Sequence, residues 1–228
     1  MPLTRDGLRE LLISTATFGV GGGAAVYSAL AFSPRYWLLA APLVIIWVFT
    51  LSFFRDPDRT VPAGAGLLVA PADGKVTEIT PLDSYEGIDG PALRIGIFLS
   101  IFDVHINRSP CDGRVAQTNY QAGQFLDARH KDSGHRNEAN TIIIEPQAGT
   151  KGPIVVRQVA GLIARRIVCH VGPGSMLRRG QQLGMIKFGS RTELIVPADG
   201  GFKAAVKVND HVRAGTTVIM RVAGSAEE

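Results

Sequence analysis

The sequence predicts a mostly β fold, a β-sandwich, preceded by a helical membrane hairpin. Three observations carry this reading. Residues 11–32 and 36–54 contain no charged side chain, and each run approaches the roughly 20 residues that span a bilayer. From residue 55 onward the apolar residues come in short β-branched runs bounded by Gly, Pro, Asp and Asn. No long amphipathic helical pattern interrupts those runs. The 228 residues suffice for one sizeable domain and a smaller element, and 46% hydrophobic against 19% charged residues excludes an intrinsically disordered chain. Two cysteines, Cys111 and Cys169, cannot build a disulfide framework, and neither has the spacing of a zinc ligand, so no metal site is expected.

The hairpin comes first, as residues 1–54. Ser33, Pro34 and Arg35 alone separate its two apolar runs, which forces antiparallel helices. Gly19 and Gly23, spaced as GxxxG, would let them approach closely in lipid. Tyr36 and Trp37 suit an interface, and Trp47 lies mid-segment. Arg5 and Arg9 before the first run and Arg55 and Arg59 after the second outnumber Arg35 in the connector, which puts both ends in the cytoplasm. Asp6 and Glu10 argue against a cleaved signal peptide. Whether the hairpin spans the bilayer or dips into it is left open. The remainder, residues 55–228, is then a domain on the cytoplasmic face of the cell membrane, where unpaired cysteines fit a reducing compartment.

Within that domain Leu93–Ile101, Thr141–Glu145, Ile154–Val159 and Thr216–Val222 read as strands. A faint repeat, APADG at Ala70–Gly74 and VPADG at Val196–Gly200, suggests two equivalent turn-and-strand units. The closing stretch VNDHVRAGTTVIMRV resembles half of a lipoyl or biotinyl carrier, so a barrel-sandwich-hybrid-like pair of halves is expected. GMIK at Gly184–Lys187 lacks the lysine motif that such carriers modify, which disfavours carrier function. The net charge of +4 points to anionic partners. Between Glu145 and Glu193 there is no acidic residue, against Lys151, Arg157, Arg165, Arg166, Arg178, Arg179, Lys187 and Arg191. Phe188 is the one aromatic among them, too few to stack bases, so an anionic membrane surface is favoured over nucleic acid.

The chemistry centres on KFGS, Lys187–Ser190, between the apparent strands QLGMIKF and TELIVP. A Gly-Ser pair alone marks a turn. In context it is more specific. GLIARRIVC (Gly161–Cys169) and LRRGQQLGMIKFGSRTELIVP (Leu177–Pro197) resemble the proenzyme signature of the short, membrane-associated bacterial phosphatidylserine decarboxylases. FFRDPDR (Phe53–Arg59), APADGKV (Ala70–Val76), FLSIFDVHINRSPCDGRV (Phe98–Val115) and the Gln124–Phe125 neighbourhood match in the same order, so the resemblance covers nearly all of the chain from Phe53.

The resemblance implies that the Gly189–Ser190 bond cleaves itself. Residues 1–189 become a β chain and residues 190–228 an α chain. Ser190 becomes a covalent pyruvoyl group, the cofactor, which forms a Schiff base with the amine of phosphatidylserine and releases CO2 to leave phosphatidylethanolamine. The two chains stay together as a heterodimer, with pairing of two such heterodimers left open. Ser190 needs a base, and histidine has the matching pKa. Of His105, His130, His135, His170 and His211, His105 in FDVH matches the family's catalytic histidine. Asp73 in PADG matches the carboxylate that would orient it, while Asp199 in the second PADG has no matching role. The chain departs from the family pattern at Ala139, where many relatives carry arginine, and at Arg108, where longer relatives carry a second histidine. Two other readings stay open here: the same chemistry on another serine phospholipid such as archaetidylserine, and a membrane-anchored β-sandwich adaptor without activity.

Overall fold

The computed structural model describes residues 2–127, 133–147, 151–162, 166–187 and 189–222. His130, Arg165 and Phe188 lie outside them. The chain divides into two compact units, Met1–Pro57 and Asp58–Glu228.

The first unit is the hairpin. A helical segment, Arg5–Ala31, and a second, Pro34–Phe53, are both long and apolar enough to cross a membrane. The first contains a π-helical stretch at Thr15–Gly19 between α1 (Leu8–Ser14) and α2 (Val20–Ala31), and the second is mostly α3 (Trp37–Phe53). Trp47 fills the seam between them and donates its indole N–H to Thr15 Oγ1 at 3.1 Å. The close approach falls on Gly19 and Gly22, where an added Cβ would meet Trp47 and Val44 at 3.1 Å. Gly23 has open space, so the GxxxG pair is not the contact. The π-helical turn ending at Gly19 adds a residue per turn and shifts which glycines face the partner.

The second unit is β-rich. Its strands run β1 (Leu67–Val69), β2 (Gly74–Leu82), β3 (Ala92–Leu99), β4 (Ile106–Arg108) and β5 (Gly113–Gln121). After a helical turn at Ser133–Arg136 come β6 (Ala139–Pro146), β7 (Ile154–Val159), β8 (Ile167–Cys169), β9 (Met176–Leu177) and β10 (Gln182–Ile186). The last are β11 (Ser190–Pro197), β12 (Phe202–Ala204), β13 (His211–Val212) and β14 (Val218–Val222). One eight-stranded sheet has the order β13-β2-β3-β11-β7-β6-β5-β9, and two three-stranded sheets have the orders β4-β10-β8 and β1-β14-β12. All pairings between these strands are antiparallel. The two PADG turns lead into different sheets: the first enters β2 of the large one, the second precedes β12 of a small one.

Strand β11 lies at the centre, between β3 and β7, and all eight of its residues are buried. The pleat sends Leu194 and Val196 into the main core with Ile95, Ile97 and Leu99, and Ile195 into a smaller cluster with Ile143 and Val155. Arg191 and Glu193 share that second face. Glu193, fully buried, accepts from Arg191 Nε at 2.8 Å and lies 3.6 Å from Arg157 Nη1, while Glu78 pairs with Arg94 at 2.7 Å and with Arg191. The basic stretch read from the sequence is therefore not one unopposed surface. Arg157 and Arg191 are neutralised inside the sheet, Lys187 is buried, and Arg179 donates to the carbonyls of Gly64 and Leu67 at 2.8 and 3.2 Å. Lys151, Arg166 and Arg178 remain exposed.

Candidate active site

Ser190 opens β11, with Leu99 as its register partner across the ladder to β3. Strand alternation puts it on the core side with Thr192 and Leu194, and its side chain is fully buried. Ser190 Oγ has no hydrogen-bond partner among the described residues. A buried hydroxyl left unpaired costs about 1–3 kcal/mol, a cost that alanine would avoid. Next to it Gly189 has φ +60°, in the left-handed region that glycine enters without penalty. The nearest atom to an added Cβ, Ile101 Cγ2, is 4.0 Å away, so backbone conformation and not crowding is what requires glycine here.

His105, just before β4, is also fully buried. Its Nδ1 lies 2.9 Å from the carbonyl oxygen of Asp103, which can only accept, so Nδ1 carries the hydrogen. Its Nε2 accepts the Gly189 N–H at 3.1 Å. The two bonds define a neutral ring with its lone pair directed at the residue before Ser190. His135, His170 and His211 are exposed.

Asp73 is buried in the turn before β2. Its carboxylate accepts from Arg59 Nη2 at 3.0 and 2.7 Å and from the Ala214 N–H at 2.8 Å. Burial pushes the carboxyl above its usual range, against the Ala214 and Arg59 contacts that pull it down, and the nearby Asp103 charge pushes it up further. The turn is tied to the strand after His105, because Pro71 O accepts from Arg108 N at 2.9 Å. Gly189, the residue before Ser190, thus meets His105 directly, while Asp73 is held by Arg59 and the Ala214 N–H. The contact at His105 Nδ1 is the Asp103 carbonyl, whereas the resemblance implies Asp73 for that place. Asp199 is exposed.

Several contributors were not singled out from the sequence. Arg59 holds Asp73, and Asp103 faces His105; both sit inside quoted motifs, but their partners are remote or main-chain. A buried carboxamide chain also crosses the site. Asn140 donates to Gln158, Gln158 to Asn107, and Asn107 to Thr192 Oγ1, each at 2.9 Å. Asn107 and Thr192 each lie two residues beyond His105 and Ser190, so this chain fixes the two strands against each other. Of the departures from the family pattern, Ala139 is buried and Arg108 donates to Gly180 O at 3.1 Å. Among the described residues no group of three or more His, Cys, Asp or Glu could hold a metal ion.

The arrangement has the parts needed for acyl transfer within the chain: an orphan hydroxyl, a glycine carbonyl before it and an imidazole lone pair at hand. Comparison with known proteins places the chain in a family. The family model described as phosphatidylserine decarboxylase matches residues 47–220. A phosphatidylserine decarboxylase proenzyme of Rhodopirellula baltica is 42% identical over 223 residues, covering 97% of this chain and 88% of the relative. Proenzymes of the same name from Trichlorobacter lovleyi and Nitrosomonas europaea are 39% identical over 221 residues and 44% identical over 184 residues, covering 96% and 80% of this chain and 96% and 82% of the relatives. The adaptor reading falls with this result. With a family model matched over residues 47–220 and relatives about 40% identical over most of its length, the chain belongs to the phosphatidylserine decarboxylase family.

Proposed function

We propose that this chain is a proenzyme that cuts itself between Gly189 and Ser190 and then decarboxylates phosphatidylserine to phosphatidylethanolamine. One observation carries the reading: a fully buried Ser190 Oγ, without a hydrogen-bond partner among the described residues, next to a glycine whose N–H is held by His105. Ser190 Oγ attacks the Gly189 carbonyl carbon as His105 Nε2 takes its proton; the C–N bond breaks as that proton passes to the Ser190 nitrogen, and an ester forms. His105 needs only to pass from the Gly189 N–H to the adjoining hydroxyl. Removal of the Ser190 Cα proton then expels the Gly189 carboxylate and leaves dehydroalanine, whose imine tautomer takes up water and releases ammonia. The residues fit the resulting pyruvoyl group, since the buried Ser190 hydroxyl has no competing hydrogen bond among the described residues.

That group supplies a carbonyl for the substrate amine and an electron sink for the pair left when CO2 departs. His105 remains available to hold the substrate carboxylate or return the proton. The two apolar helices support placement at a membrane, the flanking basic residues favour both ends on the cytoplasmic side, and the exposed Lys151, Arg166 and Arg178 are available to an anionic leaflet. Intact mass of the purified protein tests the reading. Two species are expected, residues 1–189 and a pyruvoyl-blocked 190–228, and a single uncut chain in an active preparation would overturn it. Assays on phosphatidylserine and archaetidylserine vesicles identify the head group.

A further inference from the structure

We propose that Arg191 is a positioning residue for decarboxylation, its buried guanidinium clamping the end of β11 that becomes a chain terminus once the bond before Ser190 is cut. The inference rests on the reading of the chain as a self-cleaving proenzyme. In the uncut chain Ser190 is tied from both directions. On one side stands Gly189, whose N–H is held by His105, and on the other the ladder of β11 to β3 and β7. Cleavage assigns Gly189 and its hydrogen bond to the other piece. Residue 190 then begins a free end, and chain ends fray unless they are tied down. Arg191 is the first side chain placed to do so. Thr192, bonded to Asn107 at 2.9 Å, follows on the opposite face.

Residues of the 1–189 piece build the clamp. Arg191 Nε donates to Glu193 Oε1 at 2.8 Å, and Nη2 donates to Glu78 Oε1 on β2. Gly96 on β3 forms the bed, because an added Cβ there would meet Arg191 Nη2 at 2.8 Å and Glu78 Cγ at 2.9 Å. Gly96 lies inside a regular strand, so the room taken by the guanidinium, and not the backbone, calls for glycine. Charge balance does not require Arg191. Arg94 lies 2.7 Å from Glu78 and 4.0 Å from Glu193, and Arg157 lies 3.6 Å from Glu193. Without Arg191, these two arginines still face these two glutamates, and neither carboxylate is left buried without a cation. The additional cation fixes the start of β11 across to β2. Side chains alternate along a strand, so the guanidinium lies on the face away from Ser190 and acts on it only through the main chain.

The test compares full-length wild type and Arg191→Met, each purified and shown by intact mass to be cut. Arg191→Met should be cut to the wild-type extent, because the uncut chain holds Ser190 from the Gly189 side as well. Amide hydrogen exchange over residues 190–197 is the readout that separates the roles. In the cut proteins Arg191→Met should lose protection at the start of β11 by at least about tenfold. In a Ser190→Ala background, which keeps the chain whole, the same change should alter protection less than about threefold. On phosphatidylserine vesicles kcat should fall by up to about 100-fold with KM within about threefold, as expected for a misplaced reacting group. Gly96→Ala, which keeps every charge but fills the bed, should reproduce the exchange change and add little to it in the Arg191→Met background. Equal loss of protection in cut and uncut chains, wild-type protection in the cut variant, or an unchanged kcat would each overturn the proposal. A wild type that stays uncut, or is cut and inert on phosphatidylserine, would sink the underlying proenzyme reading instead.

Discussion

The Gly189 N–H and His105 Nε2 lie 3.1 Å apart, joined across 84 positions of sequence. The bond places an imidazole lone pair one residue from the buried hydroxyl of Ser190, which has no partner among the described residues. Self-cleavage should accordingly depend on both groups to different degrees. Ser190→Ala should remain a single chain without activity. His105→Ala should cut at least about 100-fold more slowly, the low end of what a general base contributes. Gel mobility of newly made protein reads both; a Ser190→Ala protein that is still cut at this bond would remove the nucleophile from the account.

The two PADG turns offer an internal control. Asp73 is buried on Arg59 and Ala214 N, whereas Asp199 is exposed. Asp73→Asn should slow cleavage strongly and Asp199→Asn should leave it nearly unchanged. Equal behaviour of the two would take Asp73 out of the site.

Asp73 also gives a pH dependence whose sign is fixed. Its carboxyl is raised above 3.8 in the fold, chiefly by burial, so the folded chain binds that proton more tightly than the unfolded chain. The group therefore adds stability below its unfolded pKa and loses it as pH climbs through the folded one. Compared with Asp73→Asn, the wild type should gain thermal stability as pH is lowered from about 7 to about 4. Only the slope matters, since leaving Arg59 without its carboxylate shifts all values alike. A wild-type advantage that shrinks on acidification would mean that the Arg59 pair outweighs burial.

After cleavage the two chains should not part. Strand β11, the first strand of the 190–228 piece, pairs along Ala92–Leu99 on one side and Val155–Val159 on the other, both in the 1–189 piece. These contacts are main-chain and apolar, and the ion pairs that Arg191 and Glu193 make with Glu78 and Arg157 are largely buried, so salt screens them little. The pieces should co-elute in about 1 M salt and separate only in denaturant. Loss of the small chain on native gel filtration would contradict this.

The membrane devices should be separable. Deleting residues 1–52 should release the protein from membranes and still permit self-cleavage. Neutralising the exposed Arg166 and Arg178 should reduce turnover on anionic vesicles and its salt sensitivity. Neutralising Arg179, which binds two main-chain carbonyls, should lower stability instead. Vesicle turnover indifferent to both salt and the Arg166 and Arg178 changes would leave the hairpin as the membrane device.

The sequence by itself determined the class of fold and the two apolar helices and singled out Ser190, Gly189 and His105 as candidates, because hydropathy runs, turn residues and short motifs are local patterns. It could not determine which glycines touch in the hairpin, because a π-helical turn changes the helical phase. Nor could it show that Arg157 and Arg191 are neutralised, since Glu78 and Glu193 reach them only through sheet register. The partners of the site residues were decided by tertiary structure alone. Arg59 on Asp73, the Asp103 carbonyl on His105 Nδ1 and the Asn107–Thr192 bond are main-chain or long-range contacts, set by how β3, β4 and β11 pack. Residue types state which chemistry is available; the register of the strands decides which atoms are within 3 Å of each other, and a lone pair acts only on what it can reach.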